Sequence, residues 1–221
     1  MAGQDAVAQL LAALACGERL AAKRARDNAD LAPDPRARSE QENVAEREES
    51  NAALVSARLA EVGSPDLAAR FLPFFEAFHA HTAPADWVEA QAFHYVGDAL
   101  VSEFAEEMAG RVDAVSAEVV RKTLGEREDL ETFALDELMR SMETDPTAKE
   151  RIAAYSRRIS GEAFTQTKRA MESSTALQEL LGGEEGEKHL LLQLLEGHRV
   201  RLDRLGIDLM ESDDEEDDED D

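Results

Sequence analysis

The stretch PADWVEAQAFHYVGDALVSEFAEEMAG, residues 84–110, decides the fold. Trp87, Gln91, His94, Asp98, Val101, Ala105 and Met108 follow one another in alternating steps of four and three. That spacing lays side chains along one face of an α-helix. Pro84 suits the first turn, where its missing N–H costs nothing, and Gly110 closes the segment. The inner line is not purely apolar: His94 and Asp98, four apart, share the face that must be buried.

The neighbouring segments have the same character. Residues 4–29 place Val7, Leu11, Leu14, Ala21 and Ala25 on one stripe with Glu18 inside it, until Pro33 and Pro35 stop the helix. A second helix is expected to open on Ser39-Glu40-Gln41-Glu42, read as a capping box, and to close at Gly63. Its stripe of Val44, Ala52, Val55, Leu59 and Val62 is interrupted by Glu48 and Asn51. Phe71-Leu72-Pro73-Phe74-Phe75 with Phe78 reads as a core plug or lid, split by Pro73 into two short helical pieces. A fourth long helix over 113–143 carries Val120, Leu124, Leu130, Ala134, Leu138 and Met142 inward, with Arg127 among them. Asp145-Pro146 then opens a fifth helix that lasts to Gly182-Gly183, and a sixth spans 187–205 before Gly206. No segment combines strand alternation with hairpin turns. The expectation is an all-α four-helix bundle with two additional C-terminal helices in one domain over 1–206, followed by a disordered acidic tail over 207–221.

Composition limits the function. The 221 residues carry 24 Lys+Arg against 49 Asp+Glu, a formal charge of −25. Nine of the acids lie between Ser212 and Asp221, too few to account for the whole excess, so the body is acidic as well. Nucleic-acid binding draws its affinity from Lys and Arg on phosphate, which this balance opposes. A dense negative surface and tail instead favour encounter with a basic protein partner. The apolar run Val7–Cys16 is too short to span a bilayer, and Asp5 precedes it with no Lys or Arg, so neither membrane insertion nor export is expected. The single Cys16, which fits a reducing compartment, and the other features together point to a cytoplasmic protein. Cys16 lacks a His partner, Gly182-Gly183 and Gly186 stand among acids rather than in a phosphate loop, and no Ser nucleophile motif is present.

The inward polar positions repeat. Glu18 precedes Glu48 and Asn51 by 30 and 33 residues, while Asp98 precedes Arg127 and Leu130 by 29 and 32, the arithmetic of a duplicated helical hairpin. Carboxylate-bridged di-iron bundles use that arrangement: one carboxylate from each of two helices and a Glu-x-x-His from each of the other two.

Gly17-Glu18 with Asp30-Leu31-Ala32-Pro33, Arg58-Leu59-Ala60-Glu61, Phe78-His79-Ala80 with Ala83-Pro84-Ala85-Asp86-Trp87, Tyr95-Val96-Gly97-Asp98, and Gly161-Glu162-Ala163 stand in order along the chain. This set, covering Val7 to Leu205, resembles the bacterial ferritin-like family related to tRNA methylthio-isopentenyladenosine hydroxylases. The resemblance implies a ferritin-like bundle with a non-haem di-iron centre that activates dioxygen and, in the hydroxylase branch, oxidises a modified tRNA base. By the same resemblance Glu18 matches the first-helix carboxylate and Glu48 the acid of the first Glu-x-x-His. Asp98 matches the third-helix carboxylate, with Glu103 as the alternative counterpart.

The other positions depart from the pattern: Asn51 stands where the first His is expected, and Arg127 and Leu130 where the second acid-x-x-His belongs. Leu130 has no donor atom and Arg127 no lone pair for a metal. The leading expectation is therefore a ferritin-like protein with a degenerate site, no cofactor, and a non-redox or protein-interaction role, Arg127 filling the space of the metal. The alternative is an iron oxygenase using Glu18, Glu48, Asp98, His94 and Glu128 in a rearranged shell; a third reading is an acidic adaptor. His94 alone reads as a hydrogen-bonded core histidine, Glu128 and Glu131 as a solvated face, and His79 and His81 as residues without chemistry.

Overall fold

The computed structural model describes residues 3–125 and 127–208, excepting the side chain of Glu128. The acidic run Ser212–Asp221 lies outside the described residues. All regular structure among the described residues is helical. Helix α1 (Gln4–Ala29) lies against α2 (Pro35–Val62) along most of its length. The second pair of the bundle is formed by α4 (Trp87–Ala92), a π-helical turn (Phe93–Gly97) and α5 (Asp98–Ala109), packed on α6 (Ala114–Thr123) and α7 (Arg127–Thr144). Helix α3 (Ala68–His81) covers α1, and α8 (Ala148–Glu172), α9 (Thr175–Leu181) and α10 (Gly183–Arg204) pack around the outside.

Several boundaries differ from those the sequence predicts. Helix α2 begins at Pro35, not Ser39: the Asp34 side chain accepts from the Ala37 N–H, and Pro35 occupies the first helical position. Pro73 does not split α3, which runs through it, although the residue gives up one backbone hydrogen bond. The expected helix over 113–143 is two helices, broken at Leu124–Gly125. Asp145 caps a turn through the Thr147 N–H, and α8 starts only at Ala148. That helix stops at Glu172, and Ser174 accepts from the Leu177 N–H to start α9. Gly182 and Gly183, at φ 92° and 73°, supply the left-handed backbone that turns α9 into α10. Past α10, Ile207 is buried in the main core and its N–H bonds the Leu202 carbonyl. The packed body therefore extends beyond residue 206, because an apolar side chain there still has a core to enter.

The core is aliphatic and alanine-rich, with Tyr95, Tyr155 and Phe71 the largest fully buried side chains. Small residues let the helices approach: a Cβ at Gly97 would stand 3.2 Å from the Phe93 ring and 3.4 Å from Ile159. That contact seats the π turn on α8 at the level of the inward polar residues. No helix among the described residues is long and apolar enough to cross a membrane.

Candidate functional site: an arginine-centred ion cluster

Four helices deliver the inward polar residues. Glu18 comes from the middle of α1, Glu48 and Asn51 from one face of α2, Asp98 from the first residue of α5, and Arg127 from the first residue of α7. Glu18 and Glu48 are 5% and 4% exposed, so their charges are removed from bulk water. Arg127 stands between them, its Nη2 3.5 Å from Glu18 Oε1 and 3.9 Å from Glu48 Oε2. These are ion-pair distances, longer than direct hydrogen bonds. Arg47 approaches Glu48 from the other side, with Nη2 3.4 Å from Oε1.

The break between α6 and α7 helps to hold the cation. The Thr123 carbonyl, at the end of α6, accepts from Arg127 Nε at 3.2 Å and from Asn51 Nδ2 at 3.3 Å. Asn51 Nδ2 also reaches Glu48 Oε2 at 3.4 Å. Leu130 takes no part; it is buried with Ala25, Val44 and Ala45 in a small separate apolar cluster.

A second layer surrounds His94. Its Nδ1 lies 2.8 Å from Asp98 Oδ2, and its Nε2 lies 2.8 Å from Gln41 Oε1 and 3.3 Å from Asn28 Nδ2. Both ring nitrogens are engaged, in agreement with a hydrogen-bonded core histidine. Glu103 turns away to pair with Arg201 of α10 at 2.6 Å, which leaves Asp98 as the acid of this segment beside the cluster. Glu131 lies 3.9 Å from Arg201 and 3.8 Å from Arg204, an inter-helix contact rather than a purely solvated position. His79 is near Lys23 and Asp27, and His81 pairs with Glu162.

The environment sets the charges. Burial pushes the Glu18 carboxyl well above its ordinary range, the adjacent Glu48 carboxylate pushes it further, and Arg127 offsets only part of this. Asp98 goes the other way: burial would raise its pKa, but His94, then Arg127 and Arg47, hold it below the usual carboxylate value. For Arg127, burial opposes the cation and is outweighed by Glu48, Glu18 and Asp98, so its pKa is raised. A buried acid with a raised pKa stabilises the fold fully below the ordinary carboxylate range and loses that contribution as pH rises through the raised value. Glu18→Gln keeps the shape and cannot ionise. It should raise unfolding stability by about 1–2 kcal/mol at pH 8 and by less at pH 5, read from urea melts at the two pH values.

This donor set does not fit a di-iron centre. A permanent cation stands between two of the three carboxylates, His94 has both ring nitrogens engaged, and Asn51 offers the cluster an amide rather than an imidazole. Among the described residues, no three His, Cys, Asp or Glu side chains are grouped to hold a metal ion.

A cavity of about 180 Å³ opens beside the cluster, with Glu18, Asp98 and Arg127 on its wall. Phe74, Phe75 and Phe78 of α3, Phe93, Phe104 and Phe164 form most of its aromatic lining. The aromatic stretch that the sequence presents as a plug or lid is thus one wall of a partly open cleft, its Phe74, Phe75 and Phe78 only half-buried. Arg24, which no stripe argument singled out, braces that wall. Its guanidinium lies 4.3 Å over the Phe93 ring and donates to the carbonyls of His79 and Thr82 and to Thr82 Oγ1. Gln41, Asn28 and Arg24 escape sequence reading because their partners are more than fifty residues away. The one available signal was their polarity at inward positions.

A search of curated proteins finds no match to this chain. A family model for the ferritin-like domain of actinomycetes matches residues 2–184, from α1 to the start of α10. With that match over most of its length and an all-helical bundle beneath it, the chain belongs to this actinomycete ferritin-like domain family.

Proposed function

We propose that this is a non-redox member of the ferritin-like fold, in which an arginine-centred ion cluster takes the structural place of a di-iron centre. The observation that carries the reading is the position of Arg127 between Glu18 and Glu48, where a metal would have to stand to share them. The cation supplies the positive charge that inward carboxylates require, without open coordination positions or accessible oxidation states. Function then falls to binding, through the phenylalanine-walled cavity and the acidic exterior, rather than to dioxygen chemistry. An acidic body and tail favour a basic protein partner and disfavour tRNA, so the tRNA hydroxylase likeness extends to the fold but not to the reaction.

The test is metal analysis of protein made under iron-replete conditions and purified without chelator. The expected iron content is far below one atom per chain, with an unfolding midpoint unchanged by a strong chelator. Near-stoichiometric iron, or a chelator-dependent loss of stability, overturns the reading in favour of an oxygenase using Glu18, Glu48, Asp98 and His94.

A further inference from the structure

The phenylalanine-walled cavity carries an unusual polar equipment. Two of its lining residues, Glu18 and Gln166, are each 5% exposed and each has a buried oxygen, Glu18 Oε2 and Gln166 Oε1, without a hydrogen-bond partner among the described residues. Gln166, which lines the cavity, spends its amide nitrogen on Glu162 Oε1 at 2.6 Å, so what its side chain has left to offer is an acceptor. The nearby cations are largely committed. Arg127 is held by Glu18, Glu48 and the Thr123 carbonyl. Arg24 gives three hydrogen bonds to the end of α3, and its one unpaired nitrogen, Nε, belongs to the guanidinium stacked on Phe93. A buried polar atom left unpaired is costly, and an occupant able to donate a hydrogen bond removes that cost.

We infer that this cavity is a binding site for a small aromatic or branched aliphatic amine, its apolar body among the phenylalanines and its protonated nitrogen donating to Glu18 Oε2 or Gln166 Oε1. Size limits the body: an apolar cavity of about 150 Å³ accommodates benzene, so one ring with a short arm fills this one. Charge sets the head. An ammonium has three donors and no acceptor, it suits carboxylate and amide oxygens, and the faces of the lining phenylalanines attract it. A carboxylate head would meet Glu18 and Asp98 on the cavity wall, find Arg24 and Arg127 of the same wall already bonded to protein groups, and leave both unpaired oxygens unsatisfied. The inference rests on the preceding reading, because Glu18 is available to a ligand only if no metal claims it.

The experiment is calorimetric titration of the full chain at physiological salt with 2-phenylethylamine, phenylacetate, ethylbenzene and propylamine, with iron measured on the same sample. Saturable one-to-one binding of 2-phenylethylamine is expected, at least tenfold tighter than ethylbenzene. Phenylacetate should be undetectable, and propylamine, which has the charge but not the ring, should bind no more tightly than to the acidic surface at large. Ala21→Phe, which fills space beside Glu18, should abolish amine binding. Glu18→Gln and Gln166→Leu should each weaken the amine several-fold while leaving ethylbenzene unchanged. Equal or tighter binding of phenylacetate, equal binding of propylamine, or no binding by iron-free protein overturns the amine site and leaves the Arg127 reading standing. Stoichiometric iron overturns both.

Discussion

Arg127→Leu should lower the unfolding free energy by roughly 3–5 kcal/mol at neutral pH, the cost of leaving buried carboxylates without their counter-charge. Glu18 and Glu48 are nearly inaccessible to water, and Arg127 is the cation that stands between them. The pairs are loose, at 3.5 and 3.9 Å, so the direct attraction is modest. The loss comes instead from what is stranded: Glu18 loses its cation while facing a Glu48 that keeps only Arg47, and Asp98 is deprived of Arg127's field. The Thr123 carbonyl would lose its Arg127 donor as well, keeping Asn51. Arg127→Lys retains charge but cannot reach Glu18, Glu48 and Thr123 together, so an intermediate loss is expected. Two further measurements identify the cause. Lowering the pH to 5 should recover part of the loss, since protonation discharges stranded acids. Combining Arg127→Leu with Glu18→Gln should cost less than Arg127→Leu alone. A loss below about 1 kcal/mol in urea melts would show that the cluster is not the structural substitute described here.

The cluster was legible in the sequence because it violates a pattern. Glu18, Glu48, Asn51, Asp98 and Arg127 each interrupt an apolar stripe at a repeated spacing, and a stripe fixes which face is inside without knowledge of the partner helix. The structure links Glu18, Glu48 and Asn51 to Arg127 directly or through Glu48 and the Thr123 carbonyl, and puts Asp98 in their field. Leu130 was misplaced by the same logic: inward is not the same as central, and its neighbours are Ala25, Val44 and Ala45 rather than the carboxylates. The helix breaks were not legible. Leu124–Gly125 and Ser173–Ser174 interrupt continuous helical periodicity, and a single weak Gly or a Ser pair does not outweigh it locally. Yet the first break frees the Thr123 carbonyl that holds Arg127 and Asn51. The π turn at Phe93–Gly97 was equally hidden, since one extra residue in a turn changes no composition. Side-chain networks such as Asn28–His94–Gln41 depend on helices far apart in sequence, and no local periodicity records them.

A second large effect is expected at the opposite end of the chain, where His198 on α10 is 2% exposed and neither ring nitrogen has a hydrogen-bond partner among the described residues. Burial, and then the neighbouring Arg201, push its pKa down to about 4. The unfolded chain takes up a proton near pH 6.5 while the folded chain refuses it until about pH 4. The neutral ring's stability is therefore complete above pH 6.5 and is lost as pH falls through the folded value, a loss of roughly 3 kcal/mol. The acidic body pulls the other way: protonating surface carboxylates relieves the repulsion within a chain of formal charge −25, which favours the fold as pH falls. Comparison with His198→Leu separates the two, since both chains share the surface term. Between pH 7 and pH 4 the wild type should lose roughly 3 kcal/mol relative to the variant, in urea melts at matched ionic strength. At pH 7 the variant should be at least as stable, because the introduced leucine side chain would join Leu194 and Leu202 without two unpaired nitrogens. Parallel pH profiles for the two proteins would mean that His198 titrates normally and that water or a neighbouring group reaches its ring.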